Sequence, residues 1–407
     1  MEQIITFFSI RTEIPEKNFK LFFNTLFFCS FLPYLNSIIP ILPGLFFGFN
    51  WTGIAWIICL MVMTYLIFNM TDRPLFPLVN WIFWVIYLIL ALSVDFSVIG
   101  LQLTIQYVLP IMVGIVASSF TYSWPKLFWA FQQFARLIIV IFLVFAVYKA
   151  FTGYSPHMAS TPMLLYVMAT LSLGAYYVLQ EKKYLIIFLI LFLMPFLSVT
   201  RMAILVFVTS FVIHFSNRSI SSKIPYALLG AVLFAIVFTS ESFQKKTFYD
   251  GKGELSDLSI NYYESNSGLN TNGRTAWQVG LEPGLQKNPI FGNGPRSDNA
   301  VLSELAGEDN AEAHNDYLSV RYNYGWLGLL CLLGGFATTF FQLLKVYLQD
   351  NIPLFSIMIG STLTLFVGFL FFMYSDNILK YTIFFPNYFF AMVGITYSIS
   401  RRGLAYL

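Results

Sequence analysis

Long apolar runs alternate with short polar connections along most of the chain. Because a helix that spans a bilayer needs about 20 mostly apolar residues, this pattern predicts an all-α polytopic membrane protein. The runs 184–199 and 202–216 are short, and they form either a hairpin of two spans or one long broken helix. We expect about twelve transmembrane helices, near residues 20–38, 51–70, 75–94, 98–118, 127–148, 162–180, 184–199, 202–216, 224–240, 324–344, 353–374 and 381–399.

The positions of Lys and Arg predict the orientation, because short cytoplasmic connections are enriched in these residues. With the N-terminus inside, twelve cations fall in cytoplasmic segments, whereas only Lys149, Arg201 and Lys380 fall in short outer connections. This bias predicts that both termini are cytoplasmic. It also favours the hairpin at Arg201, since removal of one span there would invert the orientation of every later segment across the membrane. The first 20 residues contain no small-residue cleavage site, so we expect a cytoplasmic tail rather than a signal peptide.

One polar segment, residues 241–323, interrupts the apolar pattern and contains twelve of the chain's 20 acidic residues. Span parity places this loop on the outer side, and loops of such length are usually functional or disordered. Turn-rich stretches at 261–272 and 288–299 favour irregular structure with short helices over a compact domain. The expected organisation is an N-terminal bundle of nine spans at 1–240, the loop at 241–323, and three C-terminal spans with a cytoplasmic tail at 324–407.

Composition agrees with lipid as the main solvent of this chain. Hydrophobic residues make up 57% of it and charged residues 11%, against about 25% charged residues in soluble domains. A net charge of +3 is too small to imply a nucleic-acid partner, and no basic tract resembles a nucleic-acid footprint, so we expect none. The three cysteines lie in apolar runs and are typical of small buried residues rather than of disulfides or metal ligands.

His314 is the histidine with the clearest chemical surroundings, because it lies at the end of the loop beside an acidic stretch. If a helix begins there, His314, Tyr317, Leu318 and Arg321 share one face, which leads down into the next span. A surface histidine at a helix start is an equal alternative. The neighbouring acids at 308–316 suggest a hard-cation site, but acidic loop surface is the commoner reason for such clusters.

Three arginines on the outer side are candidates for binding an anion. Arg274 follows a glycine at the start of a short amphipathic pattern, and Arg296 follows the glycine-rich turn 288–295. Arg201 lies between two apolar runs, where a guanidinium is costly unless it has a partner or water. Arginine binds phosphate through two parallel hydrogen bonds, a geometry that Lys cannot copy. Snorkelling of Arg201 to headgroups and a plain surface role for Arg296 remain alternatives.

Taken together, these residues resemble the O-antigen ligase and O-antigen polymerase family of bacterial envelope glycosyltransferases. The resemblance extends from about residue 184 to 345. Its features are Arg201 at the paired short helices, Gly273-Arg274-x-x-Trp277 followed by Pro289-x-x-Gly292-x-Gly294, and His314-Asn315-x-Tyr317-Leu318 followed by Gly325-x-x-Gly328.

The resemblance implies an inverting, metal-independent membrane glycosyltransferase of the C superfamily in the bacterial inner membrane, with its active site on the periplasmic side and no cofactor. The donor would be a glycan on undecaprenyl diphosphate, and the acceptor a sugar hydroxyl of a lipid-linked repeat unit (polymerase) or of lipid A–core (ligase). Other proteins of the polysaccharide assembly pathway would be partners. The implied roles are catalysis for His314, diphosphate binding for Arg201, Arg274 and Arg321, and substrate contact for Arg296 and Tyr317.

Three alternatives remain at this level. We favour a polymerase over a ligase because the outer loop is compact and lacks an evident feature for docking lipid A–core. A transporter or flippase of the same glycans would keep ionisable residues near the bilayer midplane. Arg136 and Asp95 are the candidates for such charges. A non-catalytic assembly protein would need no cluster of arginine and histidine.

Overall fold

The structure, a computed structural model, describes residues 16–38, 45–46, 49–153, 161–197, 200–215, 219–257, 268–270, 274–307, 311–349 and 352–403. The regular secondary structure of this part is helical apart from two short antiparallel strands, β1 (Leu45–Phe46) and β2 (Phe49–Asn50). The helices before the loop are α1 (Lys17–Ile38), α2 (Trp51–Phe68), α3 (Ile82–Val94), α4 (Val98–Ser119), α5 (Trp124–Thr152), α6 (Thr161–Leu179), α7 (Lys182–Leu197), α8 (Arg201–Ile213) and α9 (Ile220–Phe238).

The helices of the loop and of the C-terminal part are α10 (Glu241–Thr247), α11 (Arg274–Lys287), α12 (Ser297–Ala306), α13 (Asp316–Gln349), α14 (Pro353–Ser375) and α15 (Pro386–Arg402). Two 3₁₀ turns lie at Leu78–Asn80 and Leu255–Asp257. Each of the twelve apolar runs therefore coincides with a helix, α1–α9 or α13–α15. The last of these begins at Pro386, five residues later than expected, because residues 376–385 form turns.

Six helices in the described part are long and apolar enough to cross a membrane, which supports a polytopic membrane protein. The number of twelve spans stays a prediction, since α3 and α8 are shorter apolar helices. The six are Trp51–Phe68, Val98–Ser119, Trp124–Thr152, Thr161–Leu179, Asp316–Gln349 and Phe355–Ser375.

Helices α7 and α8 form the hairpin rather than one broken helix. Phe192 packs on Phe207 with ring centroids 5.7 Å apart, and Phe188 packs on Phe211 at 5.3 Å. Positions progressively farther from the connection on both sides face each other, which is the geometry of two antiparallel helices. Arg201 therefore begins α8 directly after the turn.

Helices from both sides of the loop share one apolar core. Helix α15 packs along α4, α14 packs against α6 and α8, and α13 packs against α3 and α14. The backbones of α4 and α15 approach closely because Gly394 faces the carbonyl of Gly114, where an added Cβ would lie 2.3 Å from that oxygen. The expected three-part division along the chain stays a prediction, and α13 begins at Asp316, before the residue 324 that the division used.

Three polar contacts join connecting segments that are predicted to lie on the same side of the membrane. Lys126 pairs with Glu16 at 3.2 Å, and Arg402 approaches Asp72 at 3.6 Å, all within segments predicted to be cytoplasmic. The guanidinium of Arg201 donates to the Asn270 carbonyl at 3.0 Å, which joins a predicted outer connection to the loop. These contacts agree with the relative sidedness, whereas the compartment that each end faces stays a prediction.

The described part of the loop contains short helices, as expected. Helices α11 and α12 bury Leu281, Leu285 and Leu302 in a small separate cluster against Tyr322 of α13. The expectation of irregular structure at 288–299 was wrong from Ser297 onward, because α12 begins there. Most of the stretch 261–272 lies outside the described residues.

Candidate functional site

His314 lies outside the helix that follows it. Its backbone is in the left-handed region, with φ of +48°, and α13 begins only at Asp316. Asn315 caps the helix, since its side-chain oxygen accepts the backbone N–H of Leu318 at 3.1 Å. The expected shared face of His314, Tyr317 and Arg321 was therefore wrong for His314.

Asp376 holds the imidazole of His314. Its Oδ1 lies 3.2 Å from Nδ1 of His314 and also accepts the backbone N–H of Asn377 at 2.8 Å. Asp376 follows the last residue of α14, so this contact joins the end of the loop to the turns before α15. The side chain of His314 is 44% exposed and that of Asp376 only 16%, so the imidazole is fixed on one edge and accessible on the other.

A group of cations lies beside this pair. Arg201 begins α8, Arg274 begins α11, and their charges are close enough to repel directly. Lys246 of α10 lies within the same range of Arg201. Asp376 in turn attracts Arg274. Five segments that are distant in the chain thus bring Arg201, Lys246, Arg274, His314 and Asp376 together.

The electrostatics of this group favour an anionic ligand. Burial lowers the pKa of Arg274, and attraction by Asp376 only partly offsets that effect. Burial and the charge of Arg201 lower the pKa of Lys246. Among the described residues, neither Arg201 nor Arg274 forms an ion pair. Half-buried like charges are unfavourable unless water or an anion compensates them, so this arrangement suits a diphosphate.

Arg296 belongs to a different, charge-balanced network. Its guanidinium donates to Glu312 at 2.5 Å, and the other carboxylate oxygen of Glu312 accepts a hydrogen bond from Lys380. Lys380 also lies 3.8 Å from the buried carboxylate of Asp298. Burial alone would raise the pKa of Asp298, but Lys380 and the donors on Ser319 and Asn323 lower it below its ordinary value. The predicted substrate contact of Arg296 stays a prediction, while the structure gives this arginine a carboxylate partner.

The glycine-rich turn packs on a break in helix α13. Gly325 has φ of +65° and ψ of −170°, which divides the helix into two halves with unsatisfied backbone groups at the break. The N–H groups of Trp326 and Leu327 donate to the carbonyls of Pro289 and Ile290 at 2.9 and 3.1 Å. In return, the N–H groups at 293 and 294 donate to the carbonyls at 322 and 323, at 2.9 and 3.0 Å.

The backbones of the glycine-rich turn and of α13 approach each other so closely at Gly292 and Gly325 that a side chain would not fit at either position. A Cβ on Gly292 would lie 2.4 Å from the Asn323 carbonyl oxygen, and a Cβ on Gly325 would lie 2.1 Å from that of Ile290. The spacing Pro289-x-x-Gly292-x-Gly294 is therefore the sequence of a segment that docks on a broken helix. Its role in the site is structural, since it positions the residues that follow it.

Comparison with known proteins agrees with this geometry. Residues 186–333 match the family model described as O-Antigen ligase. The chain carries an O-antigen ligase family domain. A search of curated proteins returned no match. The matched segment runs from α7 to the second half of α13 and so includes Arg201, Lys246, Arg274 and His314.

Two further predicted site residues of this ligase-family domain have other neighbours in the structure. The guanidinium of Arg321 lies over the ring of Trp326, 4.4 Å from its centroid. The hydroxyl of Tyr317 donates to the Leu370 carbonyl at 3.0 Å, which favours packing against α14 over stacking on a sugar. A diphosphate contact by Arg321 and a substrate contact by Tyr317 stay predictions.

Sequence reasoning missed Asp376 and Lys246. Asp376 lies in the predicted outer connection between the last two spans, and a carboxylate there was the available signal. The described ranges contain no group of three or more His, Cys, Asp or Glu residues that could hold a metal ion. Glu308 and Asp309, which the acidic-stretch interpretation used, lie outside those ranges.

Proposed function

We propose that this protein is a membrane glycosyltransferase that transfers a glycan from undecaprenyl diphosphate to a sugar hydroxyl at the periplasmic face of the inner membrane. The observation that carries the proposal is the meeting of Arg201, Arg274 and Lys246 with the His314–Asp376 pair. The match of residues 186–333 to the O-Antigen ligase family model supports it. We propose a polymerase of O-antigen or exopolysaccharide repeat units as the specific activity.

The cations account for departure of the leaving group. Cleavage of the bond between the anomeric carbon and the phosphate oxygen leaves negative charge on the diphosphate. Fixed cations stabilise such developing charge most effectively where water is partly excluded. Arg201 and Arg274 supply two guanidinium groups and Lys246 one ammonium group, which would offset the negative charge that develops on the diphosphate.

The His314–Asp376 pair accounts for activation of the acceptor. An ionised carboxylate only accepts hydrogen bonds, so Asp376 favours the tautomer with the proton on Nδ1 and leaves the Nε2 lone pair free. Nε2 then takes the proton of the acceptor hydroxyl as its oxygen bonds to the anomeric carbon. Attack from the face opposite the diphosphate inverts the anomeric centre, and undecaprenyl diphosphate leaves. In this mechanism Asp376 is a positioning residue.

Ligation to lipid A–core is the second candidate, favoured by the description of the matched family model. Both activities use the same donor chemistry and differ in the acceptor. A gel of surface glycan from a deletion strain separates them. A single repeat left on the core supports the polymerase, whereas bare core with polymer retained on the lipid carrier overturns it in favour of the ligase.

Transport of the glycan without bond formation is less compatible with the structure. Arg136 is exposed on α5 and bonds to Gln133 of its own helix at 3.3 Å. Asp95 is exposed at the end of α3, beside Gly294 of the glycine turn. Neither charge faces the interior of the bundle, where a transporter would need it.

The decisive experiment replaces His314, Arg274 and Arg201 singly by Ala in a strain without the native gene. Arg136→Ala is the matched control, because it removes a guanidinium outside the cation group. We expect loss of polymeric glycan for the three site variants and normal glycan for the control, at equal protein levels in the membrane. Normal glycan from all three site variants would refute the mechanism.

A further inference from the structure

The tip of the glycine turn presents a large apolar surface that the mechanism does not use. Ile290 is 57% exposed and Phe291 is 67% exposed, although both lie in the loop that the sequence assigned to water. The exposed side chains continue this surface onto two apolar helices. They are Trp326, Leu327 and Leu330 of α13, and Phe83 and Leu90 of α3.

The turn lies against both helices through direct contacts. The carbonyls of Pro289 and Ile290 accept the backbone N–H groups of α13 described above. The hydroxyl of Tyr87 lies 3.1 Å from the carbonyl oxygen of Phe291 and 2.9 Å from that of Tyr324, so it bridges the turn and the helix break. Phe83 and Leu90 lie one helical turn to either side of Tyr87, on the same face of α3.

The backbone oxygens of residues 289 and 290 each accept an N–H group, and the single hydrogen of the Tyr87 hydroxyl is shared between the carbonyls of 291 and 324. Irregular backbone in a water-exposed loop needs no such satisfaction, because water supplies the hydrogen bonds. In hydrocarbon each unsatisfied polar group costs several kcal/mol, so non-helical backbone persists there only where protein groups replace water. The turn thus combines apolar side chains directed outward with carbonyls bonded inward.

The edge of the surface has the character of a membrane interface. Trp326 is half exposed, and the guanidinium of Arg321 stacks on its ring. Tryptophan and arginine are typical of the headgroup level, where an apolar body and a polar end meet different solvents.

We propose that the turn at 289–291 inserts into the outer leaflet and that its partner is the acyl-chain region of the bilayer. Lipid is the occupant that fits, because the surface is continuous with the exposed faces of α13, a candidate span, and of the apolar helix α3. Insertion anchors the loop at a fixed depth, and with it Arg296 and the network that ends near His314. The proposal does not depend on glycosyl transfer.

Site-directed spin labelling tests the proposal in nanodiscs of phosphatidylethanolamine and phosphatidylglycerol. The label is placed at Phe291→Cys in a Cys331→Ser background, since Cys29 and Cys59 are buried. Glu282→Cys, exposed on α11, is the aqueous control, and Leu330→Cys on α13 is the lipid control. Collision with oxygen reports lipid, and collision with a water-soluble nickel chelate reports water.

We expect the label at 291 to collide several-fold more with oxygen than with the chelate, as at 330 and opposite to 282. Ile290→Cys should give the same result, which guards against a local disturbance at one position. A label at both 290 and 291 that prefers the chelate would overturn the proposal in favour of a solvated loop. Low collision rates with both reagents would overturn it in favour of a covering protein surface.

Discussion

Substitution of Gly292 by Ala should detach the glycine turn from the broken helix. Gly292 has φ of +81°, and an added Cβ would lie 2.4 Å from the Asn323 carbonyl oxygen. A left-handed conformation costs a residue other than glycine roughly 1–2 kcal/mol. Relief of the overlap moves the turn away from α13 and breaks the bonds to the carbonyls of Tyr322 and Asn323, worth about 1 kcal/mol each. The local cost is therefore about 3 kcal/mol.

Gly307 provides the matched control, because it has φ of +66° and an added Cβ there would meet no heavy atom within 4 Å. Gly307→Ala introduces the same backbone strain without a steric overlap, and it does so at the end of α12, away from the helix break. The comparison separates the cost of the conformation from the cost of losing the crossing.

Hydrogen exchange by mass spectrometry in nanodiscs measures the effect on peptides that cover residues 322–328. A loss of about 3 kcal/mol of local stability predicts roughly 100-fold faster exchange at Trp326 and Leu327 in Gly292→Ala. Gly307→Ala should leave these amides within a few-fold of the wild type. Equal acceleration by both variants, or none by Gly292→Ala, would show that the crossing does not hold the helix break.

The remaining predictions concern side chains around the site. Asp376→Asn should lower glycan transfer in membranes about 10- to 100-fold at unchanged protein level, because no carboxylate then fixes the tautomer of His314. Full activity of this variant would exclude a positioning role for Asp376. Asp298→Asn should lower the free energy of unfolding by about 2 kcal/mol in thermal unfolding, since Lys380 loses one buried partner and keeps Glu312. The control Glu304→Gln, on the exposed face of the same helix, should change that free energy by no more than about 0.5 kcal/mol. The lowered pKa of Asp298 means that its contribution is present at neutral pH and is lost as pH falls through the folded-state pKa, so the wild type should lose more stability than Asp298→Asn below about pH 4. Tyr87→Phe should speed exchange at the helix break about tenfold by removing the shared hydroxyl, and unchanged exchange would contradict the role given to that bond.

Hydropathy was sufficient to locate the apolar helices outside the loop, because each of the twelve apolar runs corresponds to one. It also favoured the hairpin at Arg201, through a charge argument that the Phe188–Phe211 and Phe192–Phe207 contacts support. Arg201, Arg274 and His314 could be selected because their residue types suit diphosphate chemistry. Segment boundaries in the loop could not, since the burial of Leu281, Leu285 and Leu302 that forms α11 and α12 depends on a partner surface on α13.

The missed residues share a physical cause. Neither Asp376 nor Lys246 belongs to a recognisable sequence motif. Asp376 acquires its role from a contact with His314, 62 residues away, and Lys246 of α10 from its proximity to Arg201 of α8. The glycine motif was recognised as a tight turn, but the break at Gly325 that receives it could not be inferred from one chain. The apolar periodicity predicts a continuous helix through Gly325. Only the structure shows that the backbone N–H groups freed by the break donate to carbonyls of the glycine-rich turn.

The balance of charge distinguishes the two polar clusters at this end of the molecule more clearly than the number of charges. Arg296 and Lys380 are matched by Glu312 and Asp298, and such a network needs no ligand to be stable. Among the described residues Arg201 and Arg274 form no ion pair, and Asp376, which attracts Arg274, is already hydrogen-bonded to His314. In the described part of the chain, no ion pair compensates the mutual repulsion of Arg201 and Arg274. Such repulsion is unfavourable, so an anion that binds to these arginines lowers the free energy of the site before any bond is made or broken.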